Sequence, residues 1–160
     1  MDMFKGRNLI NGLGIPIWLF LIWKGDIYYA SFILVVSILG LGEFYNICSL
    51  KGAYPLRWMG MVSTVFIMDF FYVQPNLNSH QIFGCLILII LMTLIWELFS
   101  RKKEPILNIL STLSGIMLVP VLLGTSIYLR QFDTIMDTNL TFALVISIWC
   151  CDSAAFIFGT

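Results

Sequence analysis

Asp152 lies near the end of an apolar run that starts near Leu140, in the stretch Cys151-Asp152-Ser153-Ala154-Ala155-Phe156-Ile157-Phe158-Gly159-Thr160. A carboxylate well inside a membrane-length helix costs roughly 2.5 to 3.5 kcal/mol on insertion scales, so such a group is expected to face a protein interior or a watery cavity. Helical spacing puts Asp152, Ala155, Phe156 and Gly159 on one face, where the small residues let another backbone or a ligand come close to the acid. The segment reads as half of a site. The other chemistry-bearing residues are sparse. His80 is the only histidine and falls in a polar stretch, which leaves no basis for a zinc centre or a Ser-His-Asp arrangement. Cys48, Cys85, Cys150 and Cys151 lie in or beside apolar segments without ligand spacing and read as packing residues. Glu43 reads as an interfacial acid near a helix end or as a site residue, and Asp69 as a boundary acid. Glu97 and Arg101 form an i,i+4 pair expected at a solvated helix end.

The elements that must carry these residues are membrane helices. Hydrophobic residues make up 59% of the chain and charged residues 11%, against roughly 25% charged in soluble domains; mean hydropathy is +0.92. The chain is an integral membrane protein, and nothing in it suggests nucleic acid. There is no G-x-x-x-x-G-K-[ST] loop, no G-x-G-x-x-G after a strand and no H-E-x-x-H. Gly12-Leu13-Gly14 is a packing or kink feature.

Six apolar runs predict an all-α polytopic helix bundle formed as a single transmembrane domain over residues 1–160. The first runs from about Leu9 to Trp23, loosened by Gly12, Gly14 and Pro16; without a small-x-small cleavage site after it, it is kept as a spanning helix and not a secretory signal. The second covers about Ile27 to Ile47, and Lys51-Gly52-Ala53-Tyr54-Pro55 reads as a loop. The third, Trp58 to Val73, is short; Gln74 to Gln81 forms the next loop. The fourth covers Ile82 to Phe99, the fifth about Ile106 to Leu129, with Pro120 expected to bend it, and the sixth starts near Leu140. Lys5, Arg7, Lys51, Arg57, Arg101, Lys102 and Lys103 fall on one side and only Lys24 and Arg130 on the other. The positive-inside rule therefore puts the amino terminus in the cytoplasm and Asp152 in the cytoplasmic half of its span.

Asp152 through Gly159 fits Asp-(Ser/Thr)-(Ala/Gly)-Ala-(Tyr/Phe)-x-x-Gly, which resembles the membrane-embedded acidic motif of phosphatidate cytidylyltransferases, the CDP-diacylglycerol synthases. Agreement extends along the chain: Lys5-Gly6-Arg7 before an apolar run with an early proline, the acid-aromatic pair Glu43-Phe44, and Thr112-Leu113-Ser114-Gly115 in a helix that ends in Leu129-Arg130. The resemblance implies attack of a phosphatidate phosphate on the α-phosphorus of CTP with release of pyrophosphate. It also implies Mg²⁺ to neutralise phosphate charge. By that resemblance Asp152 is a direct or water-mediated magnesium ligand or an organiser of the site, and Ser153 a hydrogen-bond donor to phosphate. The setting implied is a bacterial cell (inner) membrane, with phosphatidate and CTP as partners and a homodimer or complementary polypeptide as a further one. Members normally continue into a basic Ser-Pro-Gly-Lys-Thr stretch, a Lys-Asp, and a His-Gly-Gly with an Asp-Arg and a further Asp. None of these occurs in the 160 residues, so little synthase activity is expected of this chain by itself.

Three other readings remain open: a CTP-dependent polyprenol, phytol or dolichol kinase, a non-enzymatic scaffold whose Asp152 stabilises contacts with another subunit, and a transporter. No inverted repeat of broken helices supports the last.

Overall fold

The computed structural model describes residues 17–73, 79–100 and 103–159, apart from the side chains of Ser79, Ile82, Phe156 and Ile157. The expectations for Lys5, Arg7, Gly12, Gly14, Pro16, Pro75, Asn76, Asn78, Arg101, Lys102 and Thr160 lie outside the described residues. Among the described residues every element is helical: α1 (residues 17–24), α2 (Asp26–Leu50), α3 (Arg57–Val73), α4 (Ser79–Ser100), α5 (Pro105–Ile116), a π-helical turn (Met117–Val121), α6 (Leu122–Met136) and α7 (Leu140–Phe158). The all-α, polytopic reading holds. Asp26–Leu50, Phe83–Ser100 and Pro105–Met136 are each long and apolar enough to cross a membrane, and Leu140–Ala155 is a shorter apolar helix.

The chain divides into two compact units, Ala30–Tyr128 and the pair Met1–Tyr29 with Leu129–Thr160. The central unit is held by close helix approaches. Tyr45 is wholly buried, and a Cβ added to Gly115 would stand 2.6 Å from its ring. Gly60 is equally tight against the same ring, and Gly124 against Phe71. Glycine at these positions lets the backbones approach.

Several hydroxyls disappear into this interior without needing a distant partner. Ser37, Thr64 and Thr93 are buried and donate to the carbonyls of Ile33, Gly60 and Ile89 at 2.7, 2.8 and 2.7 Å. A hydroxyl that bonds the carbonyl four residues back is satisfied within its own helix.

Turn chemistry sets the loops. At the end of α2, Gly52 takes φ +88°, the amide of Ala53 donates to the Cys48 carbonyl at 3.2 Å, and that of Gly52 donates to Ser49 at 3.1 Å. This paired pattern closes a helix through a left-handed residue that glycine adopts without steric cost. Pro120 lies in the π-helical turn. It has no N–H to give, and its ring would crowd the carbonyl four residues back, so a locally wider turn relieves both problems. The helical path from Pro105 therefore runs to Met136 over 32 residues, beyond the predicted end at Leu129. His80 and Gln81, expected in a loop, belong to α4, which starts at Ser79.

Candidate functional site

Asp152 stands on α7, twelve residues beyond Leu140 and so about 18 Å along the helix axis. The start of that helix is set by another acid, Asp133, which is 3% exposed. Its Oδ1 accepts from the Leu140 amide at 2.9 Å and from the Thr138 hydroxyl at 2.7 Å, while Oδ2 accepts from the Thr141 amide at 2.7 Å. The first amides of a helix have no partner within it and carry the positive end of its dipole, so a carboxylate there stabilises both the helix and its direction. The capping group comes from the preceding helix, and Asn139, the residue at the cap position, makes no side-chain cap bond.

The end of α1 is held in the same unit. Gly25 takes φ +67°, and its amide closes the helix on Leu21 at 2.9 Å. Arg130 Nε then donates to the carbonyl of Ile22 at 2.8 Å, placing a cation where the helix dipole is negative. A Cβ on Gly25 would approach the guanidinium to 3.1 Å. The Leu129-Arg130 pair thus acts as a helix anchor.

Between these fixed ends, Val145, Ile148, Trp149 and Asp152 follow one another at i, i+3, i+4 and i+7 along α7. With Trp18 and Leu19 of α1 they line a cavity of about 210 Å³. Asp152 is exposed at this cavity, and among the described residues it has no hydrogen bond or ion pair. Cys150, Cys151, Ser153, Ala154, Ala155 and Gly159 are exposed as well. The helix face expected to hold Asp152 against another backbone is therefore open at Asp152, Ala155 and Gly159. Ser153 is adjacent in sequence but does not line the cavity. Among the described residues no three of His, Cys, Asp and Glu gather in one place. At this cavity the described residues consequently offer a cation one carboxylate rather than a full set of ligands. Such a donor set does not suit a dedicated metal cage, but it fits Mg²⁺ that keeps its waters and rides on substrate phosphates.

Glu43 and Asp69 are exposed, on α2 and α3 of the central unit. Glu97 corrects its prediction. It is 3% exposed, and its Oε1 accepts from Asn108 Nδ2 at 2.6 Å. Asn108 Nδ2 also donates to the Lys103 carbonyl at 2.9 Å, and its Oδ1 accepts from the Tyr54 amide at 2.6 Å. One turn on, Thr112 Oγ1 accepts from the Leu56 amide at 2.8 Å, and the Thr112 carbonyl accepts from the Tyr45 hydroxyl at 3.1 Å. Glu97 Oε2 has no partner among the described residues. The sequence did carry a signal for this network. Asn108, Ser111 and Thr112 stand at i, i+3 and i+4 in an otherwise apolar helix, and Thr93 and Glu97 at i and i+4 in another. A polar stripe at helical spacing inside an apolar run needs buried partners.

With this geometry established, the sequence model of the cytidylyltransferase family matches residues 5–160. The chain therefore belongs to the cytidylyltransferase family, which makes it a membrane nucleotidyltransferase by class. Comparison with curated proteins and with solved structures gives no significant match.

Proposed function

We propose that this chain serves phosphatidate cytidylyl transfer, in which CTP and phosphatidate yield CDP-diacylglycerol and pyrophosphate in a bacterial inner membrane, with the amino terminus in the cytoplasm. The observation that carries the proposal is a carboxylate, Asp152, without a partner among the described residues, on a membrane helix at an apolar cavity that Trp18 and Trp149 also line. An acid with no internal partner is free to meet a ligand. Asp152 would hold Mg²⁺ directly or through water, and the cation would supply charge neutralisation on the triphosphate. Ser153, on the neighbouring exposed face, would donate to a phosphate oxygen of the same ligand. The phosphatidate oxygen forms the new bond to the α-phosphorus as the bond to pyrophosphate breaks. Trp18, Leu19 and Ile148 would shield the carboxylate from bulk water and strengthen its attraction for cations.

One acid does not neutralise a triphosphate, so transfer by this chain alone is expected to be slow and nucleotide retention to be the more sensitive readout. The test is to reconstitute the chain with phosphatidate and α-labelled CTP, following both Mg²⁺-dependent retention of CTP and label in the lipid fraction. Asp152→Asn should reduce retention by about tenfold or more, consistent with the loss of a charge-assisted contact, and should abolish labelled CDP-diacylglycerol. Retention and transfer that survive the substitution would overturn the role of Asp152. Transfer of γ-label from CTP to an added polyprenol, with no α-label reaching lipid, would replace the substrate with that of the related kinases.

A further inference from the structure

A second cavity lies in the central unit and takes no part in the site above. It measures about 630 Å³ and is lined by Arg57, Ser49, Tyr54, Trp58, Val62 and Trp96 among others. We propose that it binds one anionic phospholipid, with the headgroup phosphate on Arg57 and the upper acyl chain along Trp58, Val62 and Trp96.

Charge is the first argument. Arg57 is exposed and among the described residues has no carboxylate partner; its guanidinium meets only the Ser49 hydroxyl, at 3.3 Å. Among the described residues no acid lines the cavity. The Ser49 hydroxyl itself donates to the Tyr45 carbonyl at 2.8 Å, which aims its oxygen lone pairs toward Arg57. A guanidinium presents several donors in a plane and suits the oxygens of a phosphate. The second argument is the aromatic rim. Trp58, Trp96 and Tyr54 are 74%, 58% and 54% exposed, as amphipathic rings are at the level of lipid headgroups. They stand beside the basic loop that carries Lys51, at the junction of two apolar helices, so the occupant with both an anion and an apolar tail is a membrane lipid.

The third argument is that the wall is held in place. The Tyr54 and Leu56 amides are fixed on Asn108 and Thr112, which leaves the residues on either side of buried Pro55 preformed. A site built before its ligand arrives loses less entropy on binding. The inference does not depend on Asp152 or on cytidylyl transfer.

Native mass spectrometry of the full chain, titrated with dioleoyl phosphatidylglycerol or dioleoyl phosphatidylcholine, tests it. The wild type should retain one phosphatidylglycerol saturably, with about fivefold to tenfold preference over phosphatidylcholine, the scale of one charge-assisted contact. Arg57→Gln should erase the preference and Arg57→Lys should keep most of it. Trp58→Ala should weaken retention of both lipids alike. Equal retention of the two lipids by the wild type, or an undiminished preference in Arg57→Gln, would overturn the proposal. Displacement of the lipid by inorganic phosphate would assign the site to a soluble anion and overturn it as well. Arg57 is on the surface, so circular dichroism of Arg57→Gln should match the wild type.

Discussion

Glu97 and Asp152 are both carboxylates on apolar helices, yet the fold treats them oppositely. In the central unit Glu97 is enclosed and bonded to Asn108, which in turn holds the Tyr54 amide and the Lys103 carbonyl. In the other unit Asp152 is exposed at a cavity and bonded to nothing among the described residues. A buried acid with partners belongs to the architecture, because removing one partner leaves several polar groups without water or protein to satisfy them. An acid left open in an apolar setting has no such role and remains available for a ligand. Asp133 is an instructive third case. It is as buried as Glu97, but its oxygens are spent on the first amides of α7, so it serves the helix that presents Asp152.

The strongest way to break this contrast is at Asn108. Asn108→Leu would strand the Tyr54 amide, the Lys103 carbonyl and Glu97 Oε1 together, and we expect a loss of roughly 3 to 5 kcal/mol, measured as the unfolding midpoint in a denaturing detergent titration. A loss below about 1 kcal/mol would show that water or lipid replaces the network. Next in size is Gly115→Val. The added carbons would meet the Tyr45 ring, Leu41 and Phe44, and overpacking of this kind costs about 1 to 3 kcal/mol; thermal unfolding followed by tryptophan fluorescence would report it. Asp133→Asn keeps the shape but removes the charge at the helix start, with an expected cost of about 1 to 2 kcal/mol. Hydrogen exchange should localise that loss to the first turn of α7, and uniform loosening elsewhere would contradict the capping role. Smallest in stability is Asp152→Asn, which should shift the midpoint by less than about 0.5 kcal/mol while lowering nucleotide retention by about tenfold or more. A large stability loss there would make Asp152 a structural acid like Glu97 and erase the distinction.

The lipid cavity sharpens the same comparison from the positive side. Arg130 is engaged with the end of α1 and so is structural, whereas Arg57 meets only a hydroxyl and is open. The pair of arginines repeats the pattern of the acids. Engagement within the fold separates anchors from binding groups more clearly than residue type does.

Much of this was legible in the residues. The apolar runs located α2, α3, α4 and α7 to within a few positions, because membrane length and composition constrain helices strongly. Gly52 marked the end of α2, and Gly115 marked a close helix approach. The acidic motif at Asp152 was visible for the same reason that it is costly. Glu97 was misread because Arg101 four residues on suggested a surface pair, and spacing within one helix is silent about what packs on it from another. Asp133 went unnoticed since its partners, Leu140 and Thr141, lie across a turn, on the next helix.

The sequence by itself determined that this is an all-helical membrane protein, roughly where its helices start and stop, and that one of its apolar segments carries an acid needing an explanation. Those follow from hydropathy and local stereochemistry, which depend on neighbours along the chain. Tertiary structure alone decided which charged groups are consumed and which are left open. That Asn108 reaches Glu97, that Asp133 reaches the start of α7, and that Asp152 and Arg57 reach no opposite charge among the described residues are matters of approach between helices, where a hydrogen bond forms or fails over an ångström.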